Sequence, residues 1–262
     1  MISSERSPLA VTYAVWKGLF LREAVFRLSG GRLAWLWLFL EPLFQFTMFI
    51  FIFGVFRHKV INSMDSALFT MVGMLGYTFY ERTSSQCMNA VDANAALFTY
   101  RQVRPVDTVL VRAILEGFLT LMISIILISG MALVGYSVAV NDLLEVIFTV
   151  FALWFLGLGL GLNTSVLSVL QPDFAKIYNF ATRPLFFISA IFYPSYSIPQ
   201  PYREWLMLNP VVHGLELLRQ GFNNKYYIVP EISLYYLLAW GLVTTVLGLA
   251  LHVRYAEALI AE

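Results

Sequence analysis

The chain has 262 residues, 59% of them hydrophobic and 13% charged, with a formal net charge of +1. Soluble domains carry about 25% charged residues, so a chain this poor in charge needs an apolar solvent, and its near-zero net charge excludes the clustered basic excess of a nucleic-acid binder. Its single cysteine, Cys87, excludes an intrachain disulfide and a cysteine-cluster metal site and reads as a small apolar packing residue.

Taken in chain order, the first strongly apolar run begins only near Leu33 and has no small-residue cleavage pattern behind it, so it is expected to be a retained span and not a secretory signal. Ahead of it, Leu9, Tyr13, Trp16 and Phe20 repeat at helical spacing and Pro8 suits the first turn, which predicts an interfacial helix over 8–30. Arg22, Glu23 and Arg27 blur the stripe, and Gly30-Gly31 offers a corner into the membrane; an ordinary basic anchor is the plainer alternative.

Six transmembrane helices are expected, over 33–56, 66–88, 113–138, 143–170, 174–193 and 232–253. Near-continuous apolar runs of this length fit helices and not the short alternating strands of a barrel. An even number of spans puts both termini on one side, and the Lys/Arg distribution makes that side the cytoplasm. Arg6, Lys17, Arg22, Arg27, Arg32, Arg101, Arg104, Arg112, Lys176, Arg183 and Arg254 lie there, against Arg57, Lys59, Arg203, Arg219 and Lys225 outside. The expected fold class is therefore all-α integral membrane, one domain over 1–262.

Between the fifth and sixth spans, Pro194, Pro199, Pro201 and Pro210 interrupt sequence too apolar for a solvated loop. Trp205 to Leu208 and Val211 to Leu218 are too short to span, so residues 194–221 read as a re-entrant hairpin of two half-helices, with a short periplasmic subdomain as the alternative. Gly157, Gly159 and Gly161 lie mid-span with no strand before them, which excludes a dinucleotide fingerprint and predicts close helix packing through Gly157 and Gly161.

No catalytic engine is visible. Lys17, Lys59, Lys176 and Lys225 all follow residues other than glycine, so a phosphate-binding P-loop is absent, and His58, His213 and His252 lack metal-ligand spacing. Glu41, Glu81, Arg82 and Glu116 fall inside or beside spans, where each needs a partner or water. Aromatic residues make up 16% of the chain, and rings that stack on sugar C–H faces offer a polysaccharide a sliding grip. On the first span Trp37, Phe44, Met48 and Phe51 flank Glu41 at helical spacing, and on the fifth Tyr178, Leu185 and Phe192 share a face; a lipid-facing girdle is the alternative.

Three local patterns complete the reading. They are Leu40-Glu41-Pro42-Leu43; Val103-Arg104-Pro105-Val106-Asp107 with Arg112 and Glu116; and Asn209-Pro210-Val211-Val212-His213 with Arg219. With six spans, an amphipathic start and an outer hairpin, the whole chain resembles the membrane-spanning subunit of ABC-2-type exporters (the type V exporter fold), most closely the permeases of KpsMT-type capsular polysaccharide exporters. Val211 departs from the Leu, Ile, Met, Phe or Thr of the family pattern, whose signature positions here are Pro210, His213 and Arg219.

The resemblance implies a homodimer in the bacterial inner membrane with two copies of a separate cytoplasmic ABC ATPase. That partner would bind ATP and Mg, and this chain would bind no cofactor or metal. It also implies a periplasmic polysaccharide co-polymerase or adaptor, an outer-membrane export protein and a glycolipid-capped polysaccharide as cargo. Residues 92–105 would form the coupling helix, through Asp92, Ala96, Leu97, Phe98, Tyr100, Arg101 and Arg104, and Asp173 and Lys176 would sit at the cytoplasmic mouth. Ordinary ligand pockets hold about 300–1,000 Å³, too little for a long glycan, so Trp37, Glu41, Phe44, Met48, Phe51, Tyr178, Leu185 and Phe192 are expected along a continuous path. Other cargoes, such as O-antigen, teichoic acid or a drug-like lipid, fit the same architecture. An intramembrane lipid-sugar transferase using Glu41, Glu81 or Glu116 is a reading of a different class, and a secondary transporter should show inverted repeats that are not seen.

Overall fold

A computed structural model describes residues 8–29, 34–56, 60, 61 and 63–261. Arg6, Gly30, Gly31, Arg32, Leu33, Arg57, His58 and Lys59 lie outside the described residues. Among those described there is no strand, only an isolated antiparallel bridge between Ile61 and Met64. Among the described residues ten α-helices follow one another: α1 (Pro8–Ser29), α2 (Ala34–Phe56), α3 (Ser66–Met88), α4 (Pro105–Val134), α5 (Leu143–Leu170), α6 (Phe174–Ile188), α7 (Tyr202–Leu206), α8 (Pro210–Phe222), α9 (Leu234–Arg254) and α10 (Ala258–Ala261). Short 3-10 turns occupy Asp92–Leu97 and Ser195–Ser197.

Local chemistry sets many of the helix starts. The Asp65 carboxylate accepts from the N–H of Ala67, Asp142 from Glu145, Asn209 from Val211 and Ser233 from Tyr236, each taking up a backbone donor that has no partner within its helix. Helices α4, α5 and α9 are long and apolar enough to cross a membrane, and Leu121, Ile125, Ile147, Phe151, Leu242 and Val246 on them are exposed. Large apolar side chains left outside along whole helices fit a hydrocarbon surrounding and not water.

Helix α3 is the axis of the bundle. Phe69, Met71, Val72, Met74 and Leu75 are buried, and the helix packs against α2, α4, α5 and α8. Its polar last turns make it less apolar than α4 or α5, yet protein surrounds it, so neighbouring side chains satisfy those turns. The predicted glycine packing is present: a Cβ on Gly157 would overlap the Tyr80 carbonyl of α3, and one on Gly161 would overlap the Cys87 side chain. Between them Gly159 faces Thr244 of α9, where Asn163 Nδ2 donates to the Thr244 carbonyl at 2.6 Å. Cys87 is fully buried, as its packing role requires. Replacing Gly161 by valine is expected to destabilise the chain by about 1–3 kcal/mol through overpacking, read as a lower melting temperature in detergent, whereas Gly130→Val, with open space at its Cβ, should cost less.

Several boundaries differ from expectation. The third apolar helix runs over Pro105–Val134 and not 113–138. Pro105 opens it, the Asp107 carboxylate accepts from the Arg104 N–H at 3.2 Å, and Gly135, at φ 100°, ends it. The helix expected over 92–105 is only the 3-10 turn Asp92–Leu97, followed by turns. Pro105 pushes Arg104 into an extended conformation, which no helix can run through. The fifth apolar helix stops at Ile188 and not at 193, because Ala190 takes a positive φ and the carbonyls of Ala190 and Ile191 are claimed by Arg219. Phe192 is therefore not on α6. The hairpin segment holds the turn Ser195–Ser197, the short α7 and the longer, almost wholly buried α8.

Candidate functional site

Helices α2, α3 and α6 enclose a cleft of about 450 Å³. Glu41 and Gln45 enter it from α2; Tyr77, Thr78, Glu81, Arg82, Ser85 and Gln86 from α3; Thr182, Arg183 and Phe186 from α6. The placement follows from the sequence locally. Pro42 and Phe46, on the buried side of α2, leave Glu41 and Gln45 toward the opening, while on α3 the residues at i, i+4, i+5 and i+8 from Tyr77 share a face. Two carboxylates, two guanidinium groups, two amides and three small hydroxyls converge between aromatic walls. Such a set can donate to and accept from many hydroxyls without selecting one.

The cleft is closed on one side by rings. Phe186 packs edge-on to Tyr77 at 5.2 Å and to Phe192 at 5.4 Å, and Phe49 lies 5.5 Å from Phe192. Tyr77 Oη donates to the Thr182 carbonyl, and the Tyr178 and Ser84 hydroxyls share a hydrogen bond of 2.6 Å. Helix α6 otherwise buries little: Ile177, Phe180, Phe187 and Ile188 are exposed.

Beside the cleft, the face of α2 carrying Trp37 (64% exposed), Glu41, Phe44 (71%), Met48 and Phe51 (66%) is left unpacked by its own chain. On α6, Leu185 is also exposed and Tyr178 half-buried. Phe192, expected on the same face, is buried among Phe49, Phe186 and Phe187, so it braces the cleft from behind.

A charged layer lies next to the cleft. Glu116 of α4, fully buried, pairs with Arg82 of α3 at 2.8 Å and with Arg27 of α1, and Arg27 also donates to Gln86 at 3.1 Å. Glu23 of α1 pairs with Arg112 of α4 at 2.5 Å and accepts from Asn94 at 2.9 Å, while Arg22 donates to the side-chain amide oxygen of Asn94. Trp16 Nε1 donates to Asp107 at 2.9 Å. The residues that blurred the stripe of α1 are thus its protein-facing side, and Leu9 and Tyr13 face outward. Burial acts to raise the Glu23 carboxyl, but the hydrogen bonds from Asn94 and Arg112 and the charges of Arg112 and Arg27 outweigh it and hold the group below its ordinary value. A depressed carboxylate contributes stability above its unfolded pKa and loses it as pH falls through the folded one. Protection of 8–29 against hydrogen exchange, taken relative to the intrinsic rate at each pH, is therefore expected to hold from pH 7 down to about 4.3, the ordinary carboxyl value, and to fall below it; Glu23→Gln should be less protected than the parent at pH 7 and lack this pH dependence.

In the segment expected to couple, Asp92, Ala96, Tyr100, Arg101 and Arg104 are exposed and Leu97 is half-buried. Phe98, expected among the apolar docking residues, is only 7% exposed and packs with Cys87, Val91, Val109 and Val166. The reason is the turn after Leu97, which rolls Phe98 onto α4 and α5 and leaves Tyr100 outward. Asp173 and Lys176 are exposed and pair with each other at 2.9 Å.

The third pattern forms a buried node. Arg219 has no exposed surface: Nη1 donates to Glu216 at 3.1 Å, Nη2 to the carbonyls of Ala190 and Ile191, Nε to the carbonyl of Phe69, and its guanidinium lies 3.7 Å over the Phe69 ring. It is a structural cation and not a surface charge. Glu216 also accepts from the Ser195 N–H and the Tyr226 hydroxyl. Pro210 opens α8. His213 Nε2 donates to the Met207 carbonyl at 2.8 Å and Nδ1 accepts from the Ser233 N–H at 3.0 Å, a pattern that only a neutral ring can make. Glu216 escaped the sequence reading, although a Glu and an Arg three apart on an apolar helix already mark a pair.

Two comparisons bear on this arrangement. Residues 15–223 match the family model described as ABC-2 type transporter. The chain is 33% identical to the polysialic acid transport protein KpsM of Escherichia coli over 98% of this chain and 99% of that protein. It is 24% identical to the capsule polysaccharide export inner-membrane protein CtrC of Neisseria meningitidis over 95% of this chain and 94% of that protein, and 23% identical to the corresponding protein BexB of Haemophilus influenzae over 97% and 96%.

Proposed function

Because the chain belongs to the ABC-2 type transporter family, we propose that it is the inner-membrane permease of an ATP-driven exporter of lipid-linked capsular polysaccharide. Near-full-length similarity to a polysialic acid transport protein carries the reading. In it α2, α3, α4, α5, α6 and α9 cross the membrane, both termini are cytoplasmic, and the segment from Pro194 to Gly221 is a re-entrant hairpin at the outer face.

The α2 face of Trp37, Glu41, Phe44, Met48 and Phe51, with Leu185 and Tyr178 of α6, lines the glycan path opposite the same surface of a second copy. Rings stack on sugar faces, and Glu41, Glu81, Gln45 and Gln86 exchange hydrogen bonds with successive hydroxyls, so no single register is held. The chain has no Gly-Lys phosphate loop, so ATP and Mg belong to a separate cytoplasmic ATPase, present in two copies. The exposed Ala96, Tyr100 and Arg101 dock it, Asp173 and Lys176 sit at the mouth, and rigid-body closure passes through the charged layer to α1, α3 and α4. A periplasmic adaptor and an outer-membrane export protein receive the polymer.

Deleting the gene is expected to abolish surface polysaccharide while glycolipid-capped polymer accumulates in the cytoplasm, and Tyr100→Asp should release a co-purifying ATPase without unfolding the chain. Unchanged surface polysaccharide in the deletion strain would refute the cargo.

A further inference from the structure

A second cavity, of about 610 Å³, shares no residue with the cleft and lies where the first turn of α4 meets the ends of α9 and α10. Val106, Leu249, Val253 and Ile260 form its apolar wall, and Arg104 and His252 bring the polar groups. Leu242, Val246, Leu249 and Val253 are exposed at i, i+4, i+7 and i+11 along α9, so one apolar strip runs down that helix into the cavity.

His252 is 6% exposed. The Ser165 hydroxyl spends its hydrogen on the Leu162 carbonyl at 3.0 Å, so at 3.1 Å it accepts from His252 Nε2–H. Nδ1 is then an acceptor, and it is buried without a partner among the described residues. An unmet buried acceptor is a cost that a bound donor removes. Arg104 is exposed and forms no ion pair among the described residues. An apolar strip, an exposed cation and a buried acceptor at the end of a membrane helix match an amphiphile with a chain, a phosphate and a headgroup N–H or O–H.

We propose that this cavity holds one phospholipid of the surrounding leaflet, with its phosphate on Arg104, a headgroup N–H or O–H donated to His252 Nδ1, and an acyl chain along Leu249, Val253 and Val246. The site selects ethanolamine and glycerol headgroups over choline, whose headgroup has no proton to donate. The inference rests on α9 crossing the membrane.

The test uses the full chain, delipidated in detergent and supplied with phosphatidylethanolamine, phosphatidylglycerol or phosphatidylcholine, with bound lipid counted by native mass spectrometry. Phosphatidylethanolamine and phosphatidylglycerol are each expected to give a retained one-lipid adduct and a higher melting temperature, and phosphatidylcholine neither. Val253→Trp, which fills the cavity from its exposed side, should lose the adduct, whereas Ile147→Trp in the separate groove between α4 and α5 should keep it. His252→Phe should bind all three lipids alike; if that variant fails to fold, Val253→Trp carries the test alone. Equal retention of the three lipids by the parent chain, or an adduct surviving Val253→Trp, overturns the proposal. So does a Val253→Trp chain that sheds a co-purifying ATPase while lipid binding is unchanged, since the cavity would then be a protein contact. Extraction of the parent chain from membranes by carbonate alone would instead sink the membrane-spanning reading.

Discussion

Arg219→Met is expected to cost about 3–5 kcal/mol, the loss that follows when one partner of a buried ion pair is removed. The Glu216 carboxylate would stay buried, and the carbonyls of Phe69, Ala190 and Ile191 would lose their donor together. Those carbonyls belong to α3 and to the chain turn that ends α6, so the damage should spread from α8 to both. Two measurements check it: monodispersity in detergent after mild heating, and hydrogen exchange over 189–195 and 210–222. A partial rescue identifies the cause. Glu216→Gln keeps acceptors for Ser195 N–H and Tyr226 Oη while removing the stranded charge, so Arg219→Met with Glu216→Gln should be more stable than Arg219→Met alone. A double variant no better than the single one would mean that the carbonyls, and not the charge, set the cost.

Glu116→Ala is expected to have the second largest effect, and to reach function through a different element. Its carboxylate is the anion between Arg27 and Arg82; without it two cations face each other in a place with little access to water. A loss of about 3–5 kcal/mol follows, reduced to the extent that the two half-buried arginines reach solvent. The visible consequence should be release of α1, seen as fast exchange over 8–29, together with export falling to background. Glu23→Gln, which removes the one carboxylate of α1 itself, should loosen the same helix less, because Trp16 and Arg27 still hold it. If Glu116→Ala left α1 protected while abolishing export, the residue would act in the cleft and not through α1.

Much of the fold was legible in the chain because hydrocarbon imposes simple rules. A helix in lipid must satisfy its backbone internally and show apolar side chains, so apolar length marked Leu143–Leu170 to the residue; Ser66–Met88 was marked as closely, although protein and not lipid surrounds that helix. The glycine run was readable for a similar reason, since Gly157 and Gly161, four apart, put two gaps on one helix face. Hydropathy failed where side chains and not lipid decided the path. It placed the start of α4 near residue 113, because Arg104, Asp107 and Arg112 look like loop residues. In the folded chain they are a helix start and two interhelical contacts, to Trp16 and Glu23.

The candidate site shows the same division. The stripe at Trp37, Glu41, Phe44, Met48 and Phe51 is a matter of helical period and could be read directly. Phe192 and Phe98 could not, because each follows a helix end that distant residues create: Arg219 draws the carbonyls that stop α6, and Pro105 prevents a helix through Arg104.

By itself, then, the sequence determined that the chain is helical and membrane-embedded, which faces of its helices are apolar, and that it carries no phosphate loop of its own. Those are properties of one segment against a uniform solvent. The tertiary structure alone decided that Glu41, Glu81, Arg82 and Arg183 meet in one cleft, that Glu116 joins α1 to α3, and that Arg219 is a buried tie. Each of these depends on charges brought together from separate helices, where the energy comes from the partner and from the water excluded between them.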